Sequence, residues 1–415
     1  MALQQELRDL INLSHALAWK GAGESPSASN VPDEPGLVSA FLDESIQNQL
    51  EASLQNALGS SASVQVNSIF THKTPLVTPE GRSAVEIGDL LLVRQHFVTT
   101  TDSVEGRALL LQAKRNKHPD SGDISEGKPQ IQYLLYKNWP RFHGDGRLGR
   151  CPDPTPTGGV EQPWDFSLSN PLGRFGQYVA IFDGQAHPHP AVLPLAAPTA
   201  AFDASRYPPD GGKGTPRTTW ACGQVQPTPP VTKIACNDDF AEVLEHFFLG
   251  AVGEHFTPGT VSGDDHWSRF VTAMLGAATQ SSYTFLSSRT NVLKPTSRGA
   301  KISTLLGIQP LLKLAIMKEI DRHFRSAAFT ASFDYDREPH FFRRATERSE
   351  FVNHLAQIQQ RLRRELDIEY GGWLPPDDMP GPDRSGGGHV PILSIASSGP
   401  KPLLPEPGEP RFRGE

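Results

Sequence analysis

The chain has 415 residues, with 39 Lys and Arg against 46 Asp and Glu, a formal net charge of −7 and 37% hydrophobic residues. That is enough for one large buried core or two ordinary ones. No stretch approaches the roughly 18 unbroken apolar residues of a membrane helix, because the most hydrophobic segment, 191 to 202, is cut by Pro194 and Pro198. A membrane-spanning protein is therefore excluded.

Glu6, Arg8 and Asp9 stand where a signal peptide needs an apolar core, so a cytoplasmic location is expected. The 37 glycines and 37 prolines exceed the ~12% share usual for the pair, and long irregular loops must interrupt the regular structure. Cys151, Cys222 and Cys236 lack the spacing of a disulfide framework or a structural zinc site, and are expected to be reduced.

A first helix is predicted over residues 3 to 18, followed by a Ser/Pro/Gly/Asn-rich loop over 21 to 36. A second helix should run from 37 to 58, where Leu42, Ile46, Leu50, Leu54 and Ala57 form one apolar stripe and Gly59 supplies the stop. Strands follow over 63 to 70, 85 to 93 and 107 to 113. The runs Leu90-Leu91-Leu92-Val93 and Leu109-Leu110-Leu111 suit central strands covered on both faces. A helix over 129 to 138 and a strand over 177 to 182 complete this part.

Residues 184 to 235 read as meandering surface structure. Helices are then predicted over 239 to 254, 265 to 278, 309 to 327 and 349 to 366, with a short strand over 390 to 395. The implied divisions are 1 to 36, an N-terminal helix and linker; 37 to 183, an α/β core; 184 to 237, an irregular connection; 238 to 398, a mainly helical region; and 399 to 415, a disordered tail.

Chemistry concentrates around two of the apolar strands. Asp89 opens one, and Gln112-Ala113-Lys114, beginning 23 positions later, ends its neighbour. A charge placed unpaired at the end of a buried strand costs several kcal/mol, so partners are expected. Positions i and i+2 of a strand share a face, which points Gln112 and Lys114 the same way. A hard divalent cation takes oxygen ligands; Asp89, the Gln112 amide oxygen, the Ala113 carbonyl and a phosphate oxygen could supply them. Lys114 could then hold the attacking water or stabilise charge developing on phosphorus. This is the chemistry of phosphodiester hydrolysis.

In these features the chain resembles the PD-(D/E)XK nuclease superfamily, in the Mrr-type variant with Q-x-K in place of (D/E)-x-K. The resemblance rests on Gly88-Asp89 before LLLV, on Gln112-Ala113-Lys114 after LLL, and on the element order, over roughly residues 37 to 182. It implies an α/β fold with a restriction-endonuclease-like αβββαβ core, to which the helix pattern after residue 238 adds a mostly α-helical C-terminal half. It further implies a Mg²⁺ or Mn²⁺ cofactor, a DNA substrate, and a setting in prokaryotic restriction or anti-phage defence. The family places a glutamate of the first helix beside the metal, and Glu44 is the first choice for it, Glu51 the second. Two departures stand out: no proline precedes Asp89, and Gln112 brings a neutral oxygen where most members have a carboxylate.

Arg115 and Lys117, in the basic run after Lys114, are candidates for contact with flanking phosphates, and Gln132 on the next helix for supporting the lysine or the backbone. Asp264-Asp265 before His266 reads as a helix start. The arginine-rich tract from Arg337 to Arg364 reads as an ion-paired face. No Walker A motif is present, so any strand separation falls to a partner. Because free nuclease activity is toxic, gating by a protein partner or a homo-oligomer is expected. The alternative is a catalytically silent nuclease-fold scaffold or nucleic-acid-binding interaction protein.

Overall fold

The two leucine runs lie side by side, with Leu90 opposite Leu111, Leu91 opposite Leu110 and Leu92 opposite Leu109. All six are at most 2% exposed, and each fully buried leucine contributes roughly 1.5–3 kcal/mol. These runs belong to strands β4 (Leu90–Val98) and β5 (Ser103–Asn116), which form an antiparallel hairpin at the centre of the sheet.

The computed structural model describes residues 3–24, 32–59, 62–69, 75–101, 103–116, 121–124, 127–144, 162–184, 218–223, 233–280 and 390–400. Before the central hairpin come α1 (Leu3–Glu24), α2 (Glu34–Phe41), α3 (Glu44–Leu58), β1 (Ser63–Ile69), β2 (Leu76–Pro79) and β3 (Val85–Glu86). After it follow β6 (Ser121–Asp123), α4 (Lys128–Asn138), β7 (Phe142–Gly144), β8 (Gly176–Phe182), β9 (Trp220–Gly223), β10 (Lys233–Ala235) and β11 (Asp238–Asp239). Then come α5 (Phe240–Leu249), β12 (Glu254–Phe256), α6 (His266–Gln280) and β13 (Ile392–Gly399).

The main sheet has the order β1-β13-β4-β5-β8-β9-β11, and β12 also pairs with β5. It is mixed: β13 runs parallel to β4 and β8 parallel to β5, while the other pairings are antiparallel. Side chains alternate between two cores, as strand pleating requires. Leu90, Leu92, Leu109, Leu111 and Ala113 join a cluster with apolar residues of α1, α2, α3 and α5. Leu91, Val93, Ala108, Leu110 and Tyr178 join the opposite one, with residues of α4 and α6. Helices therefore cover both faces of an α/β fold.

Several expectations are corrected. The single helix over 37 to 58 is two, broken at Leu42 and Asp43, and the first begins inside the expected loop: Asp33 caps α2 by accepting the Gly36 N–H at 3.0 Å, with a proline in the first turn. Ala57, assigned to the apolar stripe, is exposed, whereas Ile46, Leu50 and Leu54 are buried. The strand expected over 85 to 93 is interrupted at Ile87–Asp89, so Asp89 stands on the turn before β4. The helix expected over 239 to 254 stops at Leu249, where Gly250 takes the left-handed conformation (φ 84°), and residues 254 to 256 form β12 instead.

The strand over 63 to 69 is separated from β4 by β13, from the far end of the chain. The described elements after residue 238 join the same sheet and cores. The helices expected over 309 to 327 and 349 to 366, and the arginine tract, lie outside the described residues, as does most of 184 to 235. Among the described residues no helix is long and apolar enough to cross a membrane.

Candidate active site

Asp89 is held at the mouth of the central hairpin. Its N–H donates to Leu111 O at 2.8 Å, and its carboxylate Oδ2 accepts the Ala113 N–H at 2.7 Å and the side-chain amide of Gln112. The Gln112 Nε2 also lies 3.5 Å from Ala113 O. Asp89, Gln112 and the Ala113 backbone, expected to act together, are thus in contact. Gln112 and Lys114 alternate with Ala113 along β5, as the i, i+2 argument requires.

Lys114 Nζ lies 3.8 Å from a carboxylate oxygen of Glu34, with side chains 17% and 27% exposed. The other Glu34 oxygen accepts the Arg115 N–H at 3.1 Å. The glutamate at this site is therefore Glu34, at the first position of α2, and sequence reading missed it. The signal was present: Asp33 and Pro35 around Glu34 are a helix N-cap and a first-turn proline. It was obscured by the Ser/Pro/Gly-rich stretch just upstream.

Glu51 has another role. It accepts the Val66 N–H at 2.8 Å on β1, which is separated from β4 by β13. Glu44 opens α3, and its side chain lies outside the described residues. Arg115 is pinned through Nη1 to Pro32 O at 2.6 Å, and so ties the entrance of α2 to the end of β5. Lys117 lies outside the described residues. Asp265 accepts the Ser268 N–H at 3.1 Å in the first turn of α6, the helix-start role expected.

Helix α4 steadies the approach to Asp89. Gln132 Nε2 donates to Glu86 O at 3.2 Å, and Tyr136, one turn later on the same face, donates its hydroxyl to Ile87 O at 2.8 Å. The two side chains grip consecutive carbonyls just ahead of Asp89. The approach requires glycine at 88, since a Cβ there would stand 2.8 Å from the Tyr136 hydroxyl.

Burial raises the Asp89 carboxyl well above its ordinary range, and Glu34 and Glu86 push it further up against the opposing pull of Lys114 and the Ala113 N–H. Glu34 is raised as well, by burial first and by Glu86, with Lys114 and Arg115 opposing. Asp89, Glu34 and Glu86 thus influence one another electrostatically, with Lys114 and Arg115 opposing, and Gln112 Oε1 is buried without a hydrogen-bond partner. Among the described residues no group of three or more His, Cys, Asp and Glu gathers at metal-binding distance. The oxygens available are a different set: one carboxylate, one amide and one main-chain carbonyl, which suits a hard cation that keeps several waters.

Compared with protein-family models, curated proteins and solved structures, the chain matches none.

Proposed function

We propose that the chain is a metal-dependent nuclease that hydrolyses DNA phosphodiester bonds, gated by a protein partner or by self-association. The observation that carries this reading is the convergence of Asp89, Gln112 and the Ala113 backbone, with Lys114 and Glu34 adjoining. Asp89, Glu34 and Glu86 act on one another electrostatically here, an arrangement that a cation relieves, and the Gln112 amide touches the Asp89 carboxylate. Asp89, Ala113 O and, with its amide turned, Gln112 Oε1 would hold Mg²⁺ or Mn²⁺. When bound, the ion supplies positive charge for the phosphate and lowers the pKa of an attacking water.

The chain's own residues do the rest. Glu34 orients the Lys114 ammonium, which would stabilise charge developing on phosphorus. Gln132 and Tyr136 hold the backbone that presents Asp89. DNA as the substrate, and restriction or anti-phage defence as the setting, follow from the resemblance to PD-(D/E)XK nucleases.

Plasmid cleavage with Mg²⁺ or Mn²⁺, comparing the parent with Lys114→Ala and Asp89→Ala, tests the proposal. Loss of cleavage in both folded variants is expected. Equal cleavage by all three would overturn it in favour of a silent scaffold.

A further inference from the structure

Arg94 is a buried cation with unused donors. It is 1% exposed, and its Nε and Nη1 have no hydrogen-bond partner. The proposed nuclease chemistry does not use it, because it lies five positions beyond Asp89, roughly 17 Å away at the rise of an extended strand. The residue directly opposite it on β5 is a second arginine, Arg107. Arg94 follows Leu90 and Leu92 at two-residue steps, and Arg107 precedes Leu109 and Leu111. Both therefore belong to the sheet face covered by α1, α2, α3 and α5.

The two side chains meet the turn that follows α5. A Cβ on Gly250 would stand 3.2 Å from Arg94 Nη1, so that guanidinium packs on the backbone of the turn. Arg107 Nη1 donates to Gly253 O at 3.1 Å. The C-terminal end of a helix attracts a cation, which accounts for one arginine here. It does not account for a second one directly opposite, since like charges so placed in a sheet are destabilising. Nor does it account for buried donors left empty. Burial pulls the Arg94 guanidinium down to about 10, with Glu105 opposing and Arg107 adding to the fall. Glu105 lies two positions before Arg107 on the same strand face, yet Nε and Nη1 of Arg94 remain without an acceptor.

We propose that Arg94 and Arg107 form an anion site beneath the Gly250–Gly253 turn, and that its ligand is a small oxyanion, a phosphate or a carboxylate group. Either group accepts charge-assisted bonds from a guanidinium, and so supplies what Nε and Nη1 lack. Ala251 is exposed, and Arg107, Gly250 and Gly253 are half-buried, so a shift of this turn would open Arg94 to the ligand while the strands stay in place. The site shares no residue with the nuclease centre and does not depend on that reading.

Thermal unfolding of the full chain in EDTA tests the proposal, with inorganic phosphate or acetate compared against chloride at equal ionic strength. At least one of the two should raise the melting temperature of the parent by about 2 °C or more beyond chloride, and the larger gain tells phosphate from carboxylate. Phosphate also stabilises proteins by exclusion from their surface, so the variants carry the test. Arg94→Met, close in length but uncharged, should lose the gain. Lys114→Ala should keep it. No gain in the parent, an equal gain in Arg94→Met, or a gain abolished in Lys114→Ala overturns the proposal.

Should Arg94→Met fail to fold, Arg107→Gln gives a second reading. Calorimetric titration with the more stabilising of the two anions should show affinity at least about tenfold below the parent's. Parent-like affinity in Arg107→Gln overturns the assignment.

Discussion

The Lys114 ammonium stands 3.8 Å from the Glu34 carboxylate, and the same carboxylate accepts the N–H of the next residue, Arg115, at 3.1 Å. One helix N-terminus thereby fixes both the side chain of the proposed catalytic lysine and the strand end that carries it. Glu34→Gln keeps the volume but removes the charge that holds Lys114. Its cleavage rate should fall about 100-fold, the scale of a small misplacement at a reacting centre. Lys114→Ala should cost about 100- to 1,000-fold. Single-turnover plasmid cleavage reads both, and a Glu34→Gln rate equal to the parent's would remove Glu34 from the site.

Asp89 gives the fold a defined dependence on pH. Its folded-state pKa lies above that of the unfolded chain, so the folded form holds the proton more tightly. Stability is then lost as pH rises from the ordinary Asp value of ~3.9 through the higher folded value. Glu34 acts in the same direction. Asp89→Asn, which cannot ionise, should melt at least about 2 °C above the parent at pH 8, and the advantage should vanish toward pH 4. Mg²⁺ should raise the melting temperature of the parent but not of Asp89→Asn. Thermal scans from pH 4 to pH 8 check both statements.

The close approach of Tyr136 to Gly88 predicts a coupled pair. Gly88→Ala places a methyl 2.8 Å from the Tyr136 hydroxyl and 3.3 Å from Leu111 O, and should cost about 1–3 kcal/mol. Tyr136→Phe removes the bond to Ile87 O and should cost about 1 kcal/mol. The double variant should lose less than the two losses combined, because phenylalanine lacks the oxygen that the methyl meets. Urea unfolding of the four chains measures the coupling; strict additivity would show that Gly88 is required for another reason.

Glu51 protects a sheet edge. β1 is the outer strand beyond β13, and α3 covers its outward groups at four-residue steps: Gln55 Oε1 accepts the Val64 N–H at 3.0 Å, Glu51 Oε2 accepts the Val66 N–H at 2.8 Å, and Gln47 bonds the Ser68 hydroxyl. Free edges of this kind recruit other strands. Replacing Glu51 and Gln55 with leucine should cost about 1 kcal/mol per lost bond and drive the chain into larger species than the parent forms. Light scattering at matched concentrations reads the shift, and cleavage activity per folded chain should survive if Glu51 lies outside the site.

Much of the centre of the molecule could be read from local pattern. Unbroken apolar runs identify strands covered on both sides, because a strand with one wet face would alternate. The two-residue spacing of Gln112 and Lys114 puts them on one face whatever the surrounding fold. An aspartate just ahead of such a strand has few partners within reach except the end of the neighbouring strand, and that is where its bonds lie. These inferences succeed because pleating and burial act over a few residues.

What the chain pattern could not decide is which distant segments close around that centre. Nothing near β4 announces that a strand some 300 residues further on will pair beside it, as the bond between His96 and Ser397 records. Glu34, Glu44 and Glu51 all sit on helices near the N-terminus. Only packing separates the one that meets Lys114 from the one that caps the edge of β1. The reason is energetic: a carboxylate or hydroxyl is stabilised by whatever polar group lies within about 3 Å, and for groups far apart in sequence that neighbour is selected by the combined burial of several apolar faces.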